Sequence, residues 1–460
     1  MKRMDLSGKH VVVVGLARSG LATARFLIQK GANVTITDKA SPHEISERAQ
    51  KARSLGAVLE LGRHLPETFD SADLIVVSPG VPHNIDLLQH AQAKGIEVIG
   101  EIELACRFIE KPIVAITGTN GKTTTTELLG HILTCADIEK FVGGNIGTPL
   151  ISYLTEPNIN AKVAIVEVSS FQLDTIKTFH PQIAILLNIS PDHSDRYTDM
   201  NAYVFSKGRV FENQTTGDIA ICNSNDPRIM ALAPAIQSEK RYFGHMAQHT
   251  SAKGENNALI DGSRILIQNN GQSPGRFDLS SSSLQGAHNM ENAAAAILAA
   301  KALNVEDQII QTALETFTMQ PHRLEQVSTI NGVTYINDSK ATNVDAVARA
   351  LTCFSKQIVL IMGGRNKDND FSPLKDLVQQ HVANLVAYGE AAEEIIAALE
   401  GACIGRSLIK HQFKDAVLLA HNLAQPGQIV LLSPACASFD QFDGYPHRGE
   451  TFRQIIESLA

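Results

Sequence analysis

The sequence predicts an α/β protein of three domains in series, each a mainly parallel sheet with flanking helices. Three observations predict it. Short β-branched runs alternate with longer helical patterns along the 460 residues, the signature of parallel-sheet architecture. Glycine-rich turns directly follow two of the strongest runs, at 15–20 and 117–124. The alternation then restarts just beyond Pro321. At roughly 100–200 residues per domain the length agrees with three. The boundaries fall near Gly100 and near Gln320, giving 1–100, 101–319 and 320–460.

In the first domain the strands are predicted at 10–14, 33–37, 74–77 and 97–99. In the second they are 113–116, 163–168 and 183–187, with helices at 125–135 and 202–212. The stretch 237–283 is polar and Gly/Ser-rich with short alternating runs, which predicts hairpins or an edge sheet. An alanine-rich helix begins near His288. Strands in the third domain are predicted at 333–336, 357–362, 385–388 and 428–432. Sheets of this kind bind ligands at the carboxyl ends of their strands, so the turns after these strands carry the functional argument.

Composition excludes several classes. Hydrophobic residues make up 44% and charged residues 19%, with a net charge of -8 and a pI near 6.1. No basic surplus points to nucleic acid or an anionic membrane, and neither is expected as a partner. The six cysteines show no metal-finger or redox spacing, which predicts reduced thiols. The first ten residues lack the long apolar run of a signal peptide, and no apolar stretch spans a bilayer. A cytoplasmic monomer is the expectation.

The most specific motif follows the run 113–116. Thr117-Gly118-Thr119-Asn120-Gly121-Lys122-Thr123-Thr124 leads from a strand into a helix. Glycines let backbone N–H groups converge on phosphate oxygens, and the helix N-terminus adds partial positive charge. Lys122 would reach the outer phosphates and Thr123 would hold Mg²⁺. Ile116 stands where the general motif has its first glycine. Two further strands end in Glu167 and in Asn188, the latter followed by Asp192-His193. If these strands flank the phosphate-loop strand, Glu167 and His193 face the nucleotide. A carboxylate suits a hard cation. By composition alone, Lys207 is a solvated lysine on a helix, and Asn289 and Asn292 could be helix caps.

A decoy lies at the start. Gly15-Leu16-Ala17-Arg18-Ser19-Gly20, with Asp38 about 20 residues further on, imitates a dinucleotide fingerprint. Ala17 replaces the glycine that lets the backbone approach a pyrophosphate, so the signal for NAD is weak. A helix-packing turn with no ligand is the competing reading.

Taken together, Gly118-Thr119-Asn120-Gly121-Lys122-Thr123, Glu167-Val168-Ser169-Ser170-Phe171-Gln172, His288-Asn289-Met290-Glu291-Asn292, Asn337-Asp338-Ser339-Lys340-Ala341-Thr342-Asn343 and Ser433-Pro434-Ala435-Cys436-Ala437-Ser438 resemble the Mur ligase family over essentially the whole chain. The resemblance implies a Rossmann-like N-terminal domain, a P-loop-type ATPase central domain and a Rossmann-like C-terminal domain. It is closest to the branch that adds D-glutamate to UDP-N-acetylmuramoyl-L-alanine, through an acyl phosphate. It implies ATP and two Mg²⁺ ions as cofactors, with Lys207 carrying a CO₂-derived carbamate. Catalytic roles are implied for Lys122, His193 and Lys207. Gly118, Thr119, Asn120, Gly121, Lys122, Thr123, Thr124, Asn289, Asn292, Arg323, Asp338 and Lys340 would bind ATP. Leu16, Arg18, Ser19, Asp38, Ser78, Asn145 and Ser169 would bind the UDP substrate, with Asn145 on a flexible loop. Thr342, Lys367, Ser438 and Tyr445 would bind D-glutamate, although Tyr445 stands where the family pattern suggests Phe. Thr123, Glu167, His193 and carbamylated Lys207 would hold the metal. The rivals are folylpolyglutamate synthase, which predicts no UDP-binding first domain, a nucleotide-dependent oxidoreductase, and a P-loop regulatory switch.

Overall fold

The computed structural model describes residues 4–82, 85–156, 160–193, 196–246, 257–268, 275–284, 286–354, 357–366 and 369–459. The first sheet holds β1 (His10–Val14), β2 (Asn33–Asp38), β3 (Val58–Leu61), β4 (Leu74–Val77) and β5 (Glu97–Gly100). All pairs are parallel, in the order β3-β2-β1-β4-β5. The four predicted strands are present. The fifth, β3, was not legible, because Val58–Leu61 alternates weakly on the sheet edge.

The second sheet holds β6 (Ile113–Thr117), β7 (Lys140–Gly144), β8 (Val163–Glu167), β9 (Ile183–Leu186), β10 (Ile219–Asn223), β11 (Glu239–His245), β12 (Ala258–Asp261), β13 (Arg264–Ile267) and β14 (Gly275–Asp278). Its order is β14-β13-β12-β11-β10-β9-β6-β8-β7. Strands β12, β13 and β14 pair antiparallel at one end, the edge hairpins predicted for 237–283. The phosphate-loop strand β6 lies between β8 and β9, as the reading of Glu167 required.

The third sheet holds β15 (Glu325–Ile330), β16 (Val333–Asn337), β17 (Ile358–Gly363), β18 (Val382–Tyr388), β19 (Ser407–Lys410) and β20 (Ile429–Ala435). The order is β15-β16-β20-β17-β18-β19, with only β15 antiparallel. Its central strands are apolar on both faces. Leu360, Met362 and Leu431 pack on one side, and Val359, Ile361 and Leu432 on the other, as helices on both faces demand.

The chain forms two compact units. One comprises Met1–Ile189, Asn201–Ser281 and Glu291–Thr316, and the other Ser190–Met200, Ser282–Met290 and Phe317–Ala460. The first therefore carries two sheets and the second one. All six cysteines are free thiols. Among the described residues no helix is long and apolar enough to cross a membrane.

Candidate active site

The phosphate turn is built by strand order. β6 ends at Thr117, and the helix Lys122–Cys135 begins five residues later, three residues earlier than the sequence suggested. Gly118 has φ +154° and Gly121, the helix N-cap, has φ +84°, regions open to glycine at no cost. A Cβ at Gly121 would lie 2.1 Å from Asn292 Oδ1. Asn188, two residues beyond β9, staples the loop. Its Oδ1 accepts from Asn120 N at 2.8 Å, its Nδ2 donates to Asn120 O at 3.1 Å, and its carbonyl accepts from Thr119 N at 2.9 Å.

Two ammonium groups converge here. Lys122 Nζ donates to Gly118 O at 2.9 Å and Thr119 O at 2.8 Å. Lys207 Nζ donates to the same Gly118 O at 2.8 Å and lies 4.6 Å from the Tyr203 ring centroid. Composition made Lys207 a surface lysine; the structure buries it, with 2% of its surface exposed. The tertiary fold overrides the local reading, because Met200–Gly208 packs this face against the loop.

Glu167 ends β8, beside Ile116 of β6. Its Oε1 accepts from Asn145 Nδ2 at 3.1 Å, while Oε2 is buried with no hydrogen-bond partner among the described residues. A buried carboxylate oxygen left without a donor suits a hard cation, so the donor set fits Mg²⁺. Asn145 stands at the start of a loop, 145–148. It directly follows edge strand β7, and its N–H donates to Glu167 O at 2.8 Å. Among the described residues no group of three or more His, Cys, Asp or Glu side chains gathers as a metal cluster. Ser169 caps the short helix Ser170–Leu173 in a capping box with Gln172.

In the first sheet, Asp38 ties the first βα turn to β2. Its Oδ2 accepts from Leu16 N at 2.6 Å and its Oδ1 from Ala40 N at 2.8 Å. Leu16 is 1% exposed, so its side chain belongs to the core. Ser78 Oγ donates to Gly15 O at 3.1 Å, and a Cβ at Gly20 would lie 1.9 Å from that carbonyl. Helix packing thus explains Gly20 without a dinucleotide. Arg18, beside Ser19 at the helix start, donates from Nη1 to Gly147 O at 2.7 Å. The first sheet is thereby fastened to the segment after β7.

The second unit holds most of the remaining candidates. Asn289 lies inside the helix Ala287–Ala302, as does Asn292, so neither is a cap. Both are buried, and Asn292 belongs to the first unit. His193 adopts φ +57° and donates its N–H to Asp192 Oδ1 at 2.9 Å, while Asp192 Oδ2 accepts from Asn343 Nδ2 at 3.1 Å. His193 belongs to the second unit, whereas Lys122, Glu167 and Lys207 belong to the first. Asp338 accepts from Ser433 Oγ at 2.9 Å and Leu324 N at 3.3 Å, and burial pushes its pKa up to about 7. Arg323 Nε is buried without a hydrogen-bond partner among the described residues. Lys340 Nζ donates to Tyr445 OH at 3.0 Å. Thr342 follows β16 closely, and Ser438 is buried after β20. Lys367 lies outside the described residues.

Three further residues were given no role from the sequence. Tyr203 bonds Thr119 through its hydroxyl, at 3.2 Å. His322, at φ +68°, contacts Asn337 through Nδ1 at 2.9 Å. Arg448 is wholly buried and donates to Ser339 Oγ and O, Cys436 O, Tyr388 OH and Gly363 O. Nothing local marks it, since it reads as an ordinary helix residue.

Similarity to known proteins extends through all three sheets. Residues 9–100 match the family described as Mur ligase MurD-like, N-terminal domain; 116–300 match Mur ligase middle domain; and 322–436 match Mur ligase, glutamate ligase domain. The chain is 47% identical to a UDP-N-acetylmuramoylalanine–D-glutamate ligase from Desulfosudis oleivorans, covering 100% of this chain and 98% of that one. It is 46% identical to the enzyme of the same name from Desulfatibacillum aliphaticivorans, over 99% and 100%. Among solved structures it is similar to a pseudomurein peptide ligase type C from Methanothermus fervidus. That similarity has a TM-score of 0.63 at 20% identity, over 98% and 100%, and bears on the fold alone.

Proposed function

The chain belongs to the Mur ligase family, and from that premise we propose its function. It joins D-glutamate to UDP-N-acetylmuramoyl-L-alanine with cleavage of ATP, a step in peptidoglycan precursor synthesis. One observation carries this: the 47% identity runs through all 460 residues and so through all three sheets. A folylpolyglutamate synthase would not need the first, UDP-type sheet, matched at 9–100.

The L-alanine carboxylate attacks the γ-phosphorus of ATP, giving an acyl phosphate and ADP. The amine of D-glutamate then attacks the acyl carbon, forming the amide and releasing phosphate. The residues act by position and charge. Backbone N–H groups of 118–124 cradle the phosphates, and Lys122 leaves the carbonyls of Gly118 and Thr119 for the outer phosphate oxygens. Glu167 and Thr123 would hold Mg²⁺, which when bound neutralises charge on the β- and γ-phosphates. Lys207, once its ammonium has given up a proton, adds CO₂ at Nζ and loses a second proton, becoming a carbamate anion that would hold a second ion. His193 orients that end. Asn289, Asn292, Arg323, Asp338 and Lys340 take the nucleotide. Leu16 through its backbone, Arg18, Ser19, Asp38 and Ser78 take the UDP end, and Asn145 and Ser169 the muramoyl end. Thr342, Lys367, Ser438 and Tyr445 hold D-glutamate.

The domains divide at 1–100, 101–319 and 320–460, a division supported by sheets that end at Gly100, run from Ile113 to Asp278, and restart at Glu325. A cytoplasmic location follows from the two nucleotide substrates. The test is phosphate release with UDP-N-acetylmuramoyl-L-alanine and a panel of amino acids. D-Glutamate supports turnover, while L-glutamate and diaminopimelate do not. Equal turnover of D- and L-glutamate overturns the assignment.

A further inference from the structure

The side chain of Tyr445 touches Lys340 twice. Lys340 Nζ donates to the tyrosine hydroxyl at 3.0 Å and lies 4.5 Å from the ring centroid. Both contacts are favourable to a cation, one through the oxygen lone pair and one through the ring quadrupole. Neighbouring residues hold the backbone of each. Ser339 Oγ donates to Tyr445 O at 2.9 Å, and Arg448 Nε donates to that same Ser339 Oγ at 2.9 Å. Lys340 N donates to His322 O at 3.1 Å, and the His322 ring meets the Tyr445 ring edge-on with centroids 6.4 Å apart. Gly449 leaves room for that histidine, since a Cβ there would lie 2.3 Å from His322 Nδ1. The tyrosine is thus fixed at its backbone by Ser339 and flanked at its ring by His322.

A lysine ammonium on a four-carbon stem is mobile, and fixing it before a phosphate arrives lowers the cost of binding. We propose that Tyr445 is a positioning residue for nucleotide binding, its hydroxyl and ring setting the Lys340 ammonium where ATP phosphates meet it. The Tyr445 hydroxyl takes one of the ammonium's three N–H donors. This rests on the reading above that Lys340 serves ATP. It departs from that reading in giving Tyr445 a role toward the nucleotide and not only toward the amino acid.

The test uses the full-length protein and a non-hydrolysable ATP analogue with Mg²⁺, titrated calorimetrically. Tyr445→Phe keeps the ring and removes the hydroxyl, and should raise the analogue Kd about fivefold to tenfold. Tyr445→Leu removes both and should raise it further. In steady state, Tyr445→Phe should raise the KM for ATP and move the KM for D-glutamate less than twofold. In a Lys340→Met background, Tyr445→Phe should have no further effect on the analogue Kd. An unchanged or tightened Kd in Tyr445→Phe, or a defect confined to D-glutamate, overturns the proposal while leaving Lys340 in place. An unchanged Kd in Lys340→Met alone overturns the underlying reading and this proposal together.

Discussion

The carbonyl of Gly118 accepts from two lysines, Lys122 and Lys207, and only one of them was recognisable from its neighbours. Lys122 sits in a glycine-rich turn whose chemistry is local. Lys207 reads as a surface residue until the fold buries it. The carbamate proposed for it gives a sharp expectation: Lys207→Ala is nearly inactive, and Lys207→Arg does not recover, because arginine keeps the positive charge and cannot form the carbamate. Turnover assays with bicarbonate present decide it, and wild-type rates in the arginine variant contradict it. Asp338 makes a second prediction. Its buried carboxyl has a pKa of about 7, raised by desolvation, whereas in the unfolded chain it titrates near 4. A raised folded pKa means the full contribution to stability is present below about pH 4. It declines as pH rises toward 7 and is flat above. Asp338→Asn removes that decline. The variant should melt higher than the parent at pH 8, the two should converge near pH 4, and the variant should bind ATP more weakly. Parallel melting curves across pH 4–8 would refute the linkage.

Among elements, the candidate site of the second sheet is three adjacent strand ends. β9, β6 and β8 present Asn188, the phosphate turn and Glu167 side by side. The predicted strands supplied each residue, but not their adjacency. Gly121 shows how tightly this corner is packed. Its φ is +84°, and Asn292 Oδ1 stands 2.1 Å from where an alanine methyl would go, so alanine has no room. Gly121→Ala should cost about 1–3 kcal/mol of stability and weaken nucleotide binding at least tenfold, because Asn292 must move. Gly147, with φ +62° and open space around it, supplies the contrast. Gly147→Ala should show only the smaller backbone strain of about 1–2 kcal/mol, with nucleotide affinity close to the parent. Calorimetric titration and melting of both variants separate the effects; equal losses of affinity would contradict the packing argument.

At the scale of the molecule, the first two sheets belong to one compact unit, and Glu103 is a principal joint within it. The carboxylate is fully buried and follows the last strand of the first sheet. It accepts from the N–H groups of Lys177, Thr178 and Phe179, from Thr178 Oγ1 at 2.7 Å, and from Arg107 Nε at 2.9 Å. Burial alone would raise its pKa, but these donors outweigh it and hold the carboxyl below its ordinary value. Glu103→Ala leaves Arg107 Nε and three backbone N–H groups without their acceptor, while Arg107 keeps its bonds to Glu97, and should cost about 3–5 kcal/mol. Denaturant unfolding measures this; a loss under about 1 kcal/mol would show that the joint is carried elsewhere. Because the folded pKa is depressed, this support is present above the unfolded value and is lost as pH falls through the folded one.

The sequence by itself determined the α/β class, the succession of three sheets and the chemistry of the turns. Those follow from hydrophobic period and glycine placement, which act over a few residues. The edge strands β3, β7, β15 and β19 were not legible, being short or only half-buried. Tertiary structure alone decided that Lys207 is buried, that Asn292 closes on Gly121, that Arg448 lies beneath the third sheet's loops, and that Tyr445 holds Lys340. Each is a contact between residues far apart in the chain. Such contacts are set by strand pairing and by which helix face is withdrawn from water, and no local pattern of residues encodes them.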